Sequence, residues 1–487
     1  MPQPIVLLGG NILESKSDNK GLAILLKSSF WYLFSTILLN GINFIVTPIF
    51  TRIMSTNEYG IYNNYCSWQS IFAVFVTLNL GVTLMSAYGD YKSDIKRYSY
   101  SMTVLMCLST LLWLVLFTLF RKPLMSWTTL EMKYLYMILA SSIGASILSM
   151  FQSYQRMEFR YKTSTAISII IALANTGLAL ALVLSMKGKA FGRIIGTTLP
   201  TFLFGLVLFF YFAKGAHGIK TSYWKYAVPL ALPYVPHSLS MTLLNSMDKT
   251  MITKMCGNEK TAIYSVAYTC GSIVIVVLMA INTAYSPWLR EKVEQDAHAK
   301  VRKFSYLYVG IGVSICLMVI LFAPEIILLF GGSKYKDSVY VLPPIAMGCM
   351  LQFLYTMFVN IEQIQKHTVE MAFASATAAL VNLGLNFLLI PRFGYLAAAY
   401  TTLVGYLVLL LIHMHVVKKI KMDHYYNYKF IYGLVVVMVT FSIFANTIYG
   451  NIFVRVGVIL ALLIAICVVA YKVKAVEKVK ALIAKRK

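Results

Sequence analysis

The chain has 487 residues, is 59% hydrophobic and only 13% charged, and carries a formal net charge of +25. Soluble globular proteins hold about 25% charged residues, so this composition, with a mean hydropathy of +0.71, excludes an ordinary soluble enzyme and points into a bilayer. The positive balance reads as Lys and Arg gathered in cytoplasmic loops, not as a nucleic-acid surface, because no dense basic run with interleaved aromatics lies outside the apolar stretches.

Residues 1–26 read as a cytoplasmic lead-in, since the apolar run Ile5–Leu8 is far too short for a signal-peptide core. A helix needs about 20 mostly apolar residues to cross the hydrocarbon. Stretches of that kind follow at 27–50, 61–87, 100–120, 133–152, 163–186 and 190–213. Six more run over 225–247, 261–283, 303–323, 339–362, 368–389 and 395–415, and a final pair over 428–448 and 452–471. The runs are continuous instead of alternating, which favours helices over a barrel. The longest polar interval, Ser286–Ser305, is too short to fold alone. The predicted fold class is therefore an all-α polytopic membrane protein of about fourteen transmembrane helices. With both termini cytoplasmic, Lys and Arg fall about two to one on that side, which predicts an N-in, C-in topology. Residues 472–487 place Val476, Val479 and Ile483 at helical spacing among lysines, as in an amphipathic helix on an anionic leaflet.

The sequence echoes itself. Asn57-Glu58-Tyr59-Gly60-Ile61-Tyr62 follows the first stretch, and Asn258-Glu259-Lys260-Thr261-Ala262-Ile263-Tyr264 follows the seventh. Phe191-Gly192 opens the sixth and Phe393-Gly394 the twelfth, each followed closely by Thr-Thr-Leu. Asn175-Thr176-Gly177-Leu178 in the fifth resembles Asn382-Leu383-Gly384-Leu385 in the eleventh. The offset is about 202 residues, which predicts two six-helix halves, 27–213 and 214–415, with 416–471 as an added helix pair. An even number of helices per half makes the halves parallel, and the substrate site of such transporters lies between them.

No P-loop, HExxH or GxSxG pattern is present. The seven cysteines form no CxxC or Cys/His cluster, and His413 and His415 are two apart and point to different sides of a helix. The expectation is therefore a protein that is not an enzyme, with no catalytic residues, no metal and no cofactor. Pro229, Pro233 and Pro236 fall in the first half of the seventh stretch and predict a hinge, although Pro229 alone could simply start the helix. Asp248-Lys249 closes that stretch and reads as a gate, a proton site or a substrate contact, or else as an interfacial pair marking the helix end. Glu362 ends the tenth stretch, where a carboxylate could take part in proton coupling or mark the cytoplasmic surface. Arg52, Glu58, Arg160, Arg193 and Arg290 sit at stretch ends. Such an arginine facing the interior could hold a phosphate, while snorkelling is the default for each. Asn40, Asn43, Asn79, Asn175, Asn245, Asn282, Asn382 and Asn386 lie inside apolar stretches and need partners at helix interfaces or in a wet cavity. Most of the 33 tyrosines read as interfacial belts.

Three stretches carry a family resemblance. They are Thr47-Pro48 through Arg52 to Tyr62; Asn245-Ser246-Met247-Asp248-Lys249-Thr250-Met251-Ile252 through Ala262–Tyr268 to Pro287-Trp288-Leu289; and Asn382–Asn386 with Ile390-Pro391, Gly394 and Ala397-Ala398-Ala399. Together they resemble the polysaccharide-biosynthesis branch of the multidrug/oligosaccharidyl-lipid/polysaccharide exporter superfamily, and within it a Wzx-type flippase. The resemblance implies a multi-pass protein of the bacterial plasma membrane. Such a protein moves an undecaprenyl-diphosphate-linked oligosaccharide repeat from the inner to the outer leaflet, through a basic cavity and with coupling to a cation gradient. Its implied partners are that lipid-linked substrate, membrane lipids, and a polysaccharide polymerase with chain-length proteins. The alternative is a cation-coupled small-molecule or drug exporter of the same superfamily. A polytopic membrane polymerase or ligase would need a large outer loop with paired catalytic residues, which the sequence lacks.

Overall fold

The computed structural model describes residues 38–472, except Phe159 and His217. The lead-in, the start of the first apolar stretch and the basic tail lie outside the described residues. The chain is about 90% helical, in nineteen helices and with no strand among the described residues. In order these are α1 (Leu38–Ile53), α2 (Thr56–Val76), α3 (Leu84–Asp90), α4 (Ile95–Leu119), α5 (Arg121–Thr128), α6 (Met132–Met157), α7 (Tyr161–Ser185) and α8 (Lys189–Lys214). Next come α9 (Ser222–Ala231), α10 (Tyr234–Cys256), α11 (Asn258–Gly271), α12 (Ile273–Glu294), α13 (His298–Leu321) and α14 (Ala323–Phe330). The last are α15 (Leu342–Ile364), α16 (Thr368–Phe393), α17 (Tyr395–Lys419), α18 (Tyr428–Ile448) and α19 (Ile452–Lys472).

Each of the fourteen apolar stretches falls on one helix or on a consecutive pair. Among the described residues ten helical runs are long and apolar enough to cross a membrane, one of them α11 with α12, and α2 with α3 adds a pair bent by 52°. The seventh stretch falls on two helices, α9 and α10. The short helices α5 and α14, eight residues each, fall between stretches and are too short to cross a membrane.

The apolar surface is turned outward as lipid demands. Leu111, Leu112 and Val115 of α4, Val207 and Phe210 of α8, and Phe387 and Leu388 of α16 are all exposed. The bundle is instead held by close contact of small residues and by buried hydrogen bonds, the usual means where the solvent is itself apolar. At Gly196 of α8 an added Cβ would lie 2.2 Å from the Ala179 Cα, so α7 and α8 form a tight hairpin only because that position is glycine. Its counterpart is the α16–α17 hairpin, where Gly405 packs on Ala378 and Asn382.

The echoed segments meet. The α1–α2 turn and the α10–α11 turn lie at the same end of the bundle, and Asn258 Nδ2 donates to Asn57 Oδ1 at 3.1 Å. Gly60 of α2 touches the Asn258 backbone. Beside them Thr51 Oγ1 donates to the Phe330 carbonyl at 2.6 Å, and Arg52 Nη2 to that of Leu329 at 3.1 Å. α2 also packs along α10 and α11, closing a seam between the first six stretches and the next six.

Candidate functional site

Three buried polar features and one helix break stand out in this bundle. The first is built on Asp248, in the last third of α10. Its side chain is 1% exposed. Oδ1 accepts from Asn386 Nδ2 at 2.6 Å, and Oδ2 accepts from Tyr264 Oη at 2.7 Å and from Thr402 Oγ1. A second layer orients these donors: Asn386 also donates to Asn382 Oδ1 at 3.2 Å, Asn382 to Thr402 at 3.4 Å, and Thr401 to Asn386 Oδ1. Asn382 and Asn386 share a face of α16 by their spacing of four, and α10, α11, α16 and α17 all contribute. Among the described residues no Lys, Arg or His forms an ion pair with Asp248. Removing an ion from water costs several kcal/mol. Three neutral donors offset that partly, and a bound cation or proton would complete it. The assembled oxygens are hard ligands of the kind that alkali cations and protons prefer.

Lys249, the next residue, turns away from Asp248. It is half-buried, with Nζ 4.5 Å from the centre of the Tyr268 ring. The two do not pair with each other: Asp248 is held by Tyr264, Asn386 and Thr402, and Lys249 lies over the Tyr268 ring.

The second feature is Glu362, which does not lie at a surface. It is 0% exposed, and both its carboxylate oxygens lie within 3.0 Å of His413 Nδ1. Tyr355 stacks on the His413 ring at 5.4 Å. An adjoining cavity of about 180 Å³ includes His237 and Ser375, whose side chains are 2.9 Å apart. No local pattern signals this pairing, because α17 supplies His413 only through packing on α15.

The third feature is Arg193, in the second turn of α8, which is 7% exposed and in contact with the rings of Phe50, Tyr59 and Tyr62. The fourth is the break of the seventh stretch at Leu232–Pro233. Pro233 and Pro236 remove the donors that would bond Pro229 and Leu232, so the helix is interrupted there. On the near side of the break α9 is fastened to α3, α4 and the turn between them. Trp224 Nε1 donates to the Ser101 carbonyl at 2.8 Å, Tyr223 Oη to Asp94 and Tyr226 Oη to Asp90. Burial and the Asp94 carboxylate push the Tyr223 phenol up to about 12, so it remains a donor at neutral pH. On the far side, α10 packs on α16. Pro233 therefore stands between a segment docked on α4 and one docked on α16, with Pro229 in the first and Pro236 in the second.

The other expected residues have local duties. Glu58 closes a capping box with Ser55 at the start of α2, and its Oε1 accepts from the Lys189 backbone N–H at the start of α8 at 2.7 Å. Arg52 is exposed and caps the end of α14, while Arg290 is exposed and pairs with Glu294 at 3.3 Å. Among the described residues one group, Asp296, His298 and His424, brings three metal-capable atoms within 4.8 Å of one another. It sits beside Lys300 and Arg302, and Asp296 and His298 are exposed.

Residues 25–293 match the family described as polysaccharide biosynthesis protein, and residues 233–388 match the family described as MatE. Among curated proteins no sequence matches significantly. Similar solved structures include the lipid II flippase MurJ in an inward closed conformation, with TM-score 0.66, 14% identity, and 92% of this chain and 99% of that one covered. An inward-facing multidrug resistance MATE family transporter of the MOP superfamily gives TM-score 0.59 at 14% identity, over 81% of this chain and 95% of that one. A mutant of the Vibrio cholerae MATE transporter VcmN gives 0.55 at 13%, over 83% and 98%. At such identities these likenesses establish the fold.

Proposed function

We propose that this chain, which belongs to the polysaccharide biosynthesis protein family, is a flippase that carries undecaprenyl-diphosphate-linked oligosaccharide repeats from the inner to the outer leaflet of a bacterial plasma membrane. It works by alternating access of two six-helix halves, 27–213 and 214–415, with both termini cytoplasmic. The observation that carries the mechanism is the Asp248 cluster: a buried carboxylate held by neutral donors, with no basic partner among the described residues. A cation binding there from one side of the membrane would neutralise it and change how α10 packs on α16, while α9 stays fastened to the first half beyond the proline break. This is how an ion gradient can be converted into relative movement of the halves. The substrate side rests on the family and on the extent of the MurJ-like fold, which takes in 92% of the chain. The working partners are the lipid-linked oligosaccharide and membrane lipids, with a polymerase and chain-length proteins downstream.

Deletion should abolish surface polysaccharide and strand the lipid-linked repeat on the cytoplasmic leaflet. Normal surface polymer in a clean deletion overturns the reading. The match of 233–388 to the MatE family favours one second reading, a cation-coupled exporter of small molecules. Raised resistance to cationic dyes on overexpression, with surface polymer unaffected by deletion, would select it.

A further inference from the structure

The first half contains a polar cavity in the place that the sequence echo makes equivalent to the Asp248 cluster. The Asp248 cluster is built by stretches seven, eight, eleven and twelve. The cavity, about 330 Å³, is lined by α1, α2, α7 and α8, which are stretches one, two, five and six, with α6 closing one side. Both have an Asn–Thr bridge across the hairpin: Asn175 Nδ2 donates to Thr201 Oγ1 at 2.9 Å in the first half, as Asn382 does to Thr402 in the second. The charge is opposite. Among the described residues the cavity holds no carboxylate, and its one charged lining residue is Arg193. Nη1 of Arg193 lies 3.9 Å from the Met54 sulfur, the Tyr59 hydroxyl is a further neighbour, and Nε has no hydrogen-bond partner. No ion pair to Arg193 exists among the described residues.

The geometry points to an oxyanion-binding site at Arg193, in the cavity lined by α1, α2, α6, α7 and α8. A guanidinium in a water-poor site binds planar or tetrahedral oxyanions through paired N–H donors. The guanidinium carbon lies 4.1 and 3.7 Å from the centres of the Phe50 and Tyr62 rings, within cation–π distance. Gln69, Ser141 and Asn175 supply neutral hydrogen-bonding groups around it. The ligand class is a phosphate or a carboxylate, either free or borne by an acidic sugar. The site stands whether or not the transported molecule is the one proposed above.

The test is thermal unfolding of the purified full-length protein, followed by tryptophan fluorescence at constant sodium, with inorganic phosphate, glucuronate or glucose added. A ligand that binds only the folded state raises Tm as its concentration rises. Phosphate or glucuronate is expected to raise Tm and glucose is not. A response to phosphate alone assigns a phosphate ligand, and a response to glucuronate a sugar carboxylate. The rise should vanish in Arg193→Gln and persist in Arg121→Gln, an exposed residue of α5. If Arg193→Gln does not fold, Asn175→Leu keeps the charge, fills the cavity and should abolish the rise. No rise in the wild type with either anion, or an undiminished rise in the folded variant, overturns the site.

Discussion

Gly60 of α2 lies against Asn258 of α11 so closely that a Cβ at residue 60 would fall 1.9 Å from the Asn258 carbonyl oxygen. The two belong to echoed segments, and the neighbouring Asn57 and Asn258 side chains are hydrogen-bonded. A residue that meets its own counterpart lies near the axis relating two repeats, as in an isologous interface. The α1–α2 end of the bundle is thus closed along that axis.

That contact sets the first prediction. Gly60→Ala overpacks the seam and should cost about 1–3 kcal/mol of stability, read as a lowered Tm of the purified protein. Cysteines at Asn57 and Asn258, joined by a short thiol cross-linker, should block transport in cells, and a cleavable linker should restore it on cleavage. Unimpaired transport in the cross-linked protein would show that the seam does not open.

Asp248→Asn should leave the fold largely intact, because the cluster already supplies neutral partners. The mismatched amide costs about 1–3 kcal/mol. Transport should lose its dependence on the imposed cation gradient. A transport assay in vesicles with and without the gradient checks this, and a gradient response equal to wild type refutes it.

Glu362 and His413 form a buried pair, so removing one partner should be worse than removing both. His413→Leu strands a carboxylate and should cost about 3–5 kcal/mol. Adding Glu362→Met should recover most of that. Thermal unfolding of the two single variants and the double variant gives the coupling, and strict additivity would rule out the pair as a unit.

The proline break should be needed for movement and not for folding. Pro233→Ala restores a backbone donor and lets the helix run through Leu232. Expression should match wild type while transport falls several-fold. Tyr223→Phe should loosen α9 from α4, seen as faster hydrogen exchange over Ser222–Ala231. Unchanged exchange would mean that Trp224 and Tyr226 hold α9 alone.

How much was legible in the sequence differs from residue to residue. The helix sites follow from runs of about 20 apolar residues, because the bilayer imposes that length on any crossing segment. The echo of Asn57–Tyr62 in Asn258–Tyr264 was visible because a repeat preserves local signatures. The proline break was also readable, since a missing N–H acts on its own helix. Glu362 and Arg193 were not readable in the same way. Each sits near the end of an apolar run, where a charge that reaches the headgroups and one that turns inward look the same in sequence.

The sequence alone determined that this is a membrane bundle of repeated helices without an ATP-binding signature, because hydropathy, length and local echo are properties of neighbouring residues. Tertiary structure alone decided which charges meet. Asp248 lies 138 residues before Asn386 and finds it only because α10 packs on α16, and Glu362 finds His413 only because α15 packs on α17. In lipid the cost of an uncompensated charge is set by what surrounds it in space, and that neighbourhood is made by helix packing, which no local pattern records.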